Sequence, residues 1–263
     1  MNKSFELRGT KTQIDVDFEN EIGVYGDSFW AMIENNLYEP ETFDFIKRSF
    51  RPGSTFIDVG AATGCMTIYA AQLGYQVIAI EPQTKVFEAL KRNLQLNPPV
   101  SISVNALHAL VVDSKQEKNI QLNKFFSDGA TGPLEALEKN VGLVDLQTVI
   151  SNAESGTPIT IKMDIEGVEF NILRNKDLLA LLKTREADMY LSLHPGFLRP
   201  LQSNNFFKKL MWRLQAIREV DSLFTRLSKF GQVHNSTKIT KLNRATILLE
   251  LRRKSRDFHV SFG

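Results

Sequence analysis

Cysteine is almost absent, and that sets the first limit. A single residue, Cys65, in 263 builds neither a disulfide framework nor a cysteine-rich zinc site. Tryptophan occurs twice and histidine four times. No apolar run approaches the roughly 18–20 residues of a membrane-spanning helix. The opening stretch Met1-Asn2-Lys3-Ser4-Phe5-Glu6-Leu7-Arg8 lacks the continuous apolar core of a secretory signal. The expected compartment is therefore the cytoplasm, with room for peripheral contact at a membrane. Two nucleotide signatures are also missing. There is no G-x-x-x-x-G-K-[ST] phosphate loop, and no G-x-G-x-x-G whose middle glycine admits a pyrophosphate.

What is present is ordinary for a folded chain. Hydrophobic residues make up 43% and charged residues 24%, which excludes general disorder and collagen-like repeats. The net charge of +2 hides an asymmetry. Residues 1–202 carry 19 basic and 26 acidic side chains, whereas residues 203–263 carry 13 and 4. A basic C-terminal quarter on an acidic body suits an anionic partner such as a phosphate, a lipid head group or nucleic acid, or else merely solvates one face. No zinc-finger, RRM or other nucleic-acid recognition motif accompanies the charge, so nucleic acid is the weakest of these partners.

The chain reads as an N-terminal extension over residues 1–50, followed by one α/β domain over 51–263 with no dividing linker. Thr55 to Val59 reads as a buried strand, Gly60 to Gly64 as a tight turn and Thr67 to Leu73 as a helix. A second strand spans Gln76 to Ile80 and a second helix Thr84 to Leu96, stopped by Asn97-Pro98-Pro99. A third strand is expected from Val100 to Ala106. Strand–helix alternation of this kind signals a parallel, doubly wound sheet. The rhythm resumes with a strand at Ile159 to Asp164, a helix at Phe170 to Leu182 and a strand at Ala187 to Leu193. A long amphipathic helix runs from Phe207 to Phe230, with Trp212 within it. A last strand is expected at Thr246 to Leu251.

The informative segment is Phe56-Ile57-Asp58-Val59-Gly60-Ala61-Ala62-Thr63-Gly64. Glycines let the backbone turn and a ligand approach main-chain N–H groups. Asp58 stands two residues before the first glycine, where its charge would repel a pyrophosphate and welcome a cation. Glu81 ends the second strand, where a carboxylate can accept both hydrogen bonds of a ribose diol. A cationic nucleoside, S-adenosylmethionine, matches this pattern.

The same stretch, Phe56-Ile57-Asp58-Val59-Gly60-Ala61, resembles the opening motif of the FkbM family of S-adenosylmethionine-dependent methyltransferases. Three further pieces occur in the family's order. They are Leu37-Tyr38-Glu39-Pro40, Ile80-Glu81-Pro82 and Ile161-Lys162-Met163-Asp164-Ile165-Glu166-Gly167-Val168-Glu169. The resemblance implies a class I methyltransferase fold, a Rossmann-like, doubly wound, mostly parallel sheet of seven strands. It also implies methylation of a hydroxyl oxygen on a small-molecule, sugar or glycan-type acceptor. Position then assigns the cofactor's amino-acid end to Asp58, Gly60, Ala61 and Gly64, and its ribose to Glu81. Asn105 and Ala106, at the end of the third strand, are expected to border the adenine, with Tyr38 and Glu39 closing the pocket.

An alcohol is a poor nucleophile at neutral pH, so a base or a metal must help remove its proton. Asp164 is the first candidate to position the acceptor or hold a divalent ion. Glu166 and His194 complete the catalytic set, His194 as general base. Each has a structural alternative: Asp164 as a cap, Glu166 as a first-turn charge, His194 as a hydrogen-bonded structural imidazole. Lys162 reads as a snorkelling or solvent-facing lysine, with a lysine that reaches the pocket as the alternative, and Cys65 as a small buried filler. His108, His234 and His259 show no metal-ligand spacing. The basic C-terminal helix packs on the core or contacts anionic lipid or a phosphorylated carrier. Two other functions stay open: a nicotinamide-dependent oxidoreductase, and a non-catalytic module that keeps the cofactor fold.

Overall fold

The computed structural model describes residues 2–113, 141–165, 168–193, 206–236 and 257–263. The elements in chain order are β1 (Asn2–Leu7), β2 (Thr10–Asp15), α1 (Val16–Glu21), α2 (Gly26–Glu34), α3 (Pro40–Ser49), β3 (Thr55–Val59), α4 (Cys65–Leu73), β4 (Gln76–Glu81), α5 (Thr84–Gln95), α6 (Pro98–Ser101) and β5 (Val104–Val112). They continue with β6 (Gly142–Asp145), α7 (Leu146–Asn152), β7 (Ile159–Met163), α8 (Glu169–Ile172), α9 (Lys176–Thr184), β8 (Asp188–Ser192), α10 (Phe206–Phe230), β9 (Gln232–Asn235) and β10 (Asp257–Ser261).

The chain divides into two compact units. The first is built mainly from Met1–Leu110 and Ala153–Lys162. Its strands run in the order β6-β5-β4-β3-β7, with β3, β4 and β5 parallel. Every residue of β3 and of β7 is buried, which is why both read as continuous apolar runs rather than alternating ones. The helix α4 buries Ile68, Ala70 and Ala71. Tyr75 is wholly buried, and its hydroxyl donates to the Ile46 carbonyl oxygen at 2.9 Å. Each fully buried side chain of this size contributes about 1.5–3 kcal/mol.

The first fifty residues pack inside this unit. The β1–β2 hairpin is antiparallel, and Asn93 of α5 and Asn97, just before α6, hold it. Asn97 exchanges two hydrogen bonds with the Gln13 backbone, at 3.0 and 2.8 Å. Asn93 accepts from the Asp15 N–H at 3.0 Å and donates to Glu19 Oε1 at 2.9 Å and to the Thr63 carbonyl at 2.9 Å. Glu19 is itself fully buried and accepts from Trp30 Nε1 and the Gly26 N–H.

The second unit is built mainly from Met163–Gly263 with Val144–Asn152. Its strands run β8-β10-β9, with β10 antiparallel to both neighbours. Helix α10 buries Ala216, Val220, Leu223, Phe224 and Leu227, and Phe224 meets Phe258 of β10 edge to face at 4.8 Å.

The architecture is the expected α/β fold with a mostly parallel sheet, yet several elements differ. Among the described residues, eight strands form these two series, where seven are expected. The third strand starts at Val104 and continues to Val112, because Pro98 and Pro99 open a short helix instead of only ending the previous one. The single helix expected from Phe170 to Leu182 is two, α8 and α9. Asn175 separates them and caps α9, accepting from the Asp177 and Leu178 N–H groups. The strand expected at Thr246 to Leu251 and the side chain of Trp212 lie outside the described residues.

Replacing Asn93 with Leu removes one group that serves Glu19, the Asp15 amide and the Thr63 carbonyl together. A buried polar group left without its partner costs about 1–3 kcal/mol. The variant is expected to lose at least about 3 kcal/mol in urea unfolding, and a loss under about 1 kcal/mol would contradict this account.

Candidate active site

The turn after β3 is set by backbone conformation. Gly60, Ala62 and Gly64 all have positive φ, at 84°, 51° and 99°. A Cβ at Gly64 would also lie 2.5 Å from Leu90 Cδ1, so that side-chain tip would have to shift. The amides of Gly60 and Ala61 both donate to the Ile80 carbonyl, at 3.0 and 3.1 Å. The turn is thereby bound to the end of β4.

Beneath the turn lies a buried ion pair. Asp58 is 0% exposed and Lys162 6%. Lys162 Nζ stands 3.6 Å from Asp58 Oδ1 and donates to the Gly60 carbonyl oxygen at 2.7 Å. Thr67 Oγ1 of α4 donates to Asp58 Oδ2 at 2.7 Å. This corrects the reading of Lys162 as solvent-facing. A lysine in a strand buried on both faces has no route to water, so it takes the carboxylate and carbonyl within reach. Asp58 is engaged below the turn and holds it from underneath.

Glu81 ends β4, 6% exposed. Its Oε2 accepts from the Ala62 N–H at 3.0 Å and its Oε1 from the Gln83 N–H at 2.9 Å. An ionised carboxylate offers about four lone-pair sites, so acceptor capacity remains on both oxygens. Burial pushes its pKa from 4.5 to about 7, against the pull of the two backbone N–H donors and of Lys162.

Two residues beside the site belong to the segment before α3. Glu39, in the left-handed region at φ 40°, precedes α3 and accepts from Thr42 Oγ1 at 3.1 Å. Burial, then the charge of Glu39, raises the pKa of both Tyr38 and the Cys65 thiol. Lys162 and Asp58 act on the same thiol, so Glu39, Cys65, Asp58 and Lys162 share one electrostatic neighbourhood. Cys65 is buried at 7% exposure, as expected for a small filler.

The placement of Asn105 and Ala106 needs correction. They pair with Ile78 and Ala79 near the start of β5, and Asn105 is exposed. The residue level with Glu81 is His108. Its ring stacks on Phe87 with centroids 4.9 Å apart and 12° between planes, and its Nε2 lies 3.3 Å from Thr84 Oγ1. The apolar run Ala109-Leu110-Val111-Val112 was the signal that this strand reaches further.

In the second unit, Asp164 follows β7 and is half-buried. At the end of β8, Ser192 Oγ donates to Asp257 Oδ1 at 2.7 Å. Asp257, missed in the sequence because the segment before it has no clear periodicity, brings a carboxylate to this strand end. Glu166 and His194 lie outside the described residues. Among the described residues, no three His, Cys, Asp or Glu side chains are grouped to hold a metal ion, and no helix is long and apolar enough to cross a membrane.

Lys162→Met leaves Asp58 charged and enclosed, so stability is expected to fall by about 3–5 kcal/mol. The double variant with Asp58→Asn should recover part of that loss in urea unfolding. Glu81 gives a pH signature. Its folded-state pKa lies above its unfolded one, so its contribution is full below about pH 4.5 and is lost as pH rises through 7. Wild type should lose up to about 3 kcal/mol relative to Glu81→Gln over that window, read from paired urea titrations at pH 5 and pH 8.

Residues 58–194, more than half of the chain, match the family model of the methyltransferase FkbM domain. A comparison with curated proteins gives no match. Among solved structures, the chain is similar to monomeric WbdD at 14% identity and TM-score 0.43, covering 84% of this chain and 39% of that one. A second WbdD structure, described as a bifunctional kinase-methyltransferase, gives 12% identity and TM-score 0.47, covering 93% and 41%. The chain thus spans about two fifths of the length of these WbdD chains. A TehB-like SAM-dependent methyltransferase from Corynebacterium glutamicum gives 9% identity and TM-score 0.41, covering 94% and 98%. From the match over residues 58–194, the chain belongs to the FkbM family of methyltransferases, whose cofactor is S-adenosylmethionine.

Proposed function

We propose that this chain transfers a methyl group from S-adenosylmethionine to a hydroxyl oxygen of a sugar or glycan-type acceptor. The observation that carries the reading is Glu81. It is a buried carboxylate at the end of β4, held by the Ala62 and Gln83 amides, with acceptor capacity to spare.

The residues present fit the cofactor. Glu81 would take the ribose diol. The Phe87–His108 stack, level with Glu81, offers a flat surface for the adenine. The Gly60–Gly64 turn would approach the amino-acid end. Asp58 supports that turn through Lys162, and Tyr38 and Glu39 would cover it. When bound, the cofactor supplies an electrophilic methyl group on a sulfonium.

The chain's own contribution is then positioning and proton removal. Holding an acceptor oxygen within about 3–3.5 Å of the reacting carbon supplies much of the acceleration in such displacements. Asp164 is the residue proposed to position the acceptor hydroxyl or hold a divalent ion, with Asp257 oriented by Ser192 as a second carboxylate of that unit. Glu166 and His194 remain proposed members of the catalytic set, His194 as general base. Oxygen as the target, rather than nitrogen or sulfur, rests on the motif resemblance through Lys162-x-Asp164-x-Glu166-Gly167-x-Glu169.

The test is calorimetric titration with S-adenosylhomocysteine, followed by a methyl-transfer screen against sugar hydroxyls read by mass spectrometry. Wild type should bind, and Glu81→Gln should bind about 10- to 100-fold more weakly, since charge-assisted hydrogen bonds contribute about 1.5–3 kcal/mol. Binding should strengthen as pH rises through 7, where the carboxylate ionises. Asp164→Asn should lower kcat while leaving that titration unchanged. No binding by wild type, or methyl found on nitrogen, would overturn the reading.

A further inference from the structure

A groove of about 520 Å³ opens in the second unit between the start of α9 and the later turns of α10. Lys176, Asp221, Ser222, Thr225, Arg226, Lys229 and Phe230 line it. None of these residues belongs to the cofactor neighbourhood described above. On α10 the spacing 222, 225, 226, 229 follows the i, i+3, i+4, i+7 pattern, so two hydroxyls and two cations share one helical face. Lys176, in the first turn of α9, adds a third cation beside the positive end of that helix's dipole.

The middle cation is held in place. Arg226 is half-buried, and its Nη1 donates to the Leu173 carbonyl at 3.1 Å and its Nη2 to Ser222 Oγ at 3.2 Å. A guanidinium has five N–H donors in a fixed fork, so these two bonds orient it without exhausting it. Nearby Arg174 is paired with Glu219 at 2.6 Å. Even so, burial and then the charge of Arg174 work against the Arg226 cation, only partly offset by Glu219. Among the lining residues Asp221 is the one carboxylate, against three cations. An anion in the groove would relieve this excess.

We propose that this groove binds a phosphate group, with the Arg226 fork and the Ser222 and Thr225 hydroxyls as hydrogen-bond donors and Lys176 and Lys229 as flanking charges. Planar forks and paired hydroxyls suit tetrahedral phosphate oxygens. The groove's volume leaves room for the sugar or glycerol moiety attached to that phosphate. The group can come from a soluble phosphate ester or from a lipid head group. The inference stands apart from methyl transfer, because its test needs neither cofactor nor acceptor.

The test uses the full chain in two arms. In the first, thermal unfolding is followed in inorganic phosphate and in chloride at matched ionic strength. Wild type should be stabilised by phosphate in a saturable way. The Lys176→Gln/Lys229→Gln pair should require about tenfold more phosphate, and Arg226→Gln should lose the effect. The lysine pair guards against a folding defect from Arg226→Gln, because its lysines are exposed; its melting in chloride should match wild type. In the second arm, sedimentation is measured with phosphatidylcholine vesicles with and without phosphatidic acid. Wild type that sediments only with phosphatidic acid, through the same lysines, assigns the phosphate to a lipid. A phosphate effect without sedimentation assigns it to a soluble ester. No saturable stabilisation of wild type, or a lysine-pair variant that responds as wild type does, would overturn the proposal.

Discussion

The contact between Lys162 and Asp58 governs the candidate site. It joins two strands whose residues are 104 positions apart, in a layer that water does not reach. Neither charge is affordable there alone, because desolvating an isolated ion costs several kcal/mol. Each partner also does a second task. Lys162 holds the Gly60 carbonyl, while Asp58 receives the Thr67 hydroxyl from the first turn of α4. Strand, turn and helix are thus locked around one pair of charges, while the turn's Gly60, Ala61 and Ala62 amides bind it to the end of β4 above.

A second restraint acts from the side. Asn93 ties the Thr63 carbonyl to Glu19, and Glu19 ties in turn to Trp30 and Gly26. The N-terminal fifty residues are therefore connected to the glycine turn through a chain of buried polar groups. Such networks are stabilising only when every member is satisfied, so the extension and the turn gain order together.

Much of this was legible in the residues. The run Thr55 to Val59, the glycines at 60 and 64 and the carboxylate at 81 gave strand, turn and strand end, since each is a local signal. The long helix through Val220, Phe224 and Leu227 followed from its spacing, although Met211, Leu214 and Ile217 of the same series are exposed. What stayed hidden depended on contacts distant in sequence. Lys162 looks like a surface residue until β7 is enclosed on both faces. Asn93 occupies the buried face of α5 as a polar residue whose partners lie on three other segments. Asn105 and Ala106 read as a strand end because Pro98 and Pro99 read as a simple stop, whereas those prolines begin a short turn of helix that delays the strand. Asp257 could not be paired with Ser192 without knowing that β10 runs antiparallel beside β8.

Cys65 opens α4 immediately after Gly64, the one thiol in the chain, enclosed and kept protonated by its apolar surroundings and by Glu39. Thiols react as thiolates and only when reached. While buried, this sulfur is shielded from alkylating reagents, and it becomes reactive only when the start of α4 separates from its neighbours. The rate of its alkylation is therefore a clock for how often the start of α4 breathes, readable without adding any foreign label.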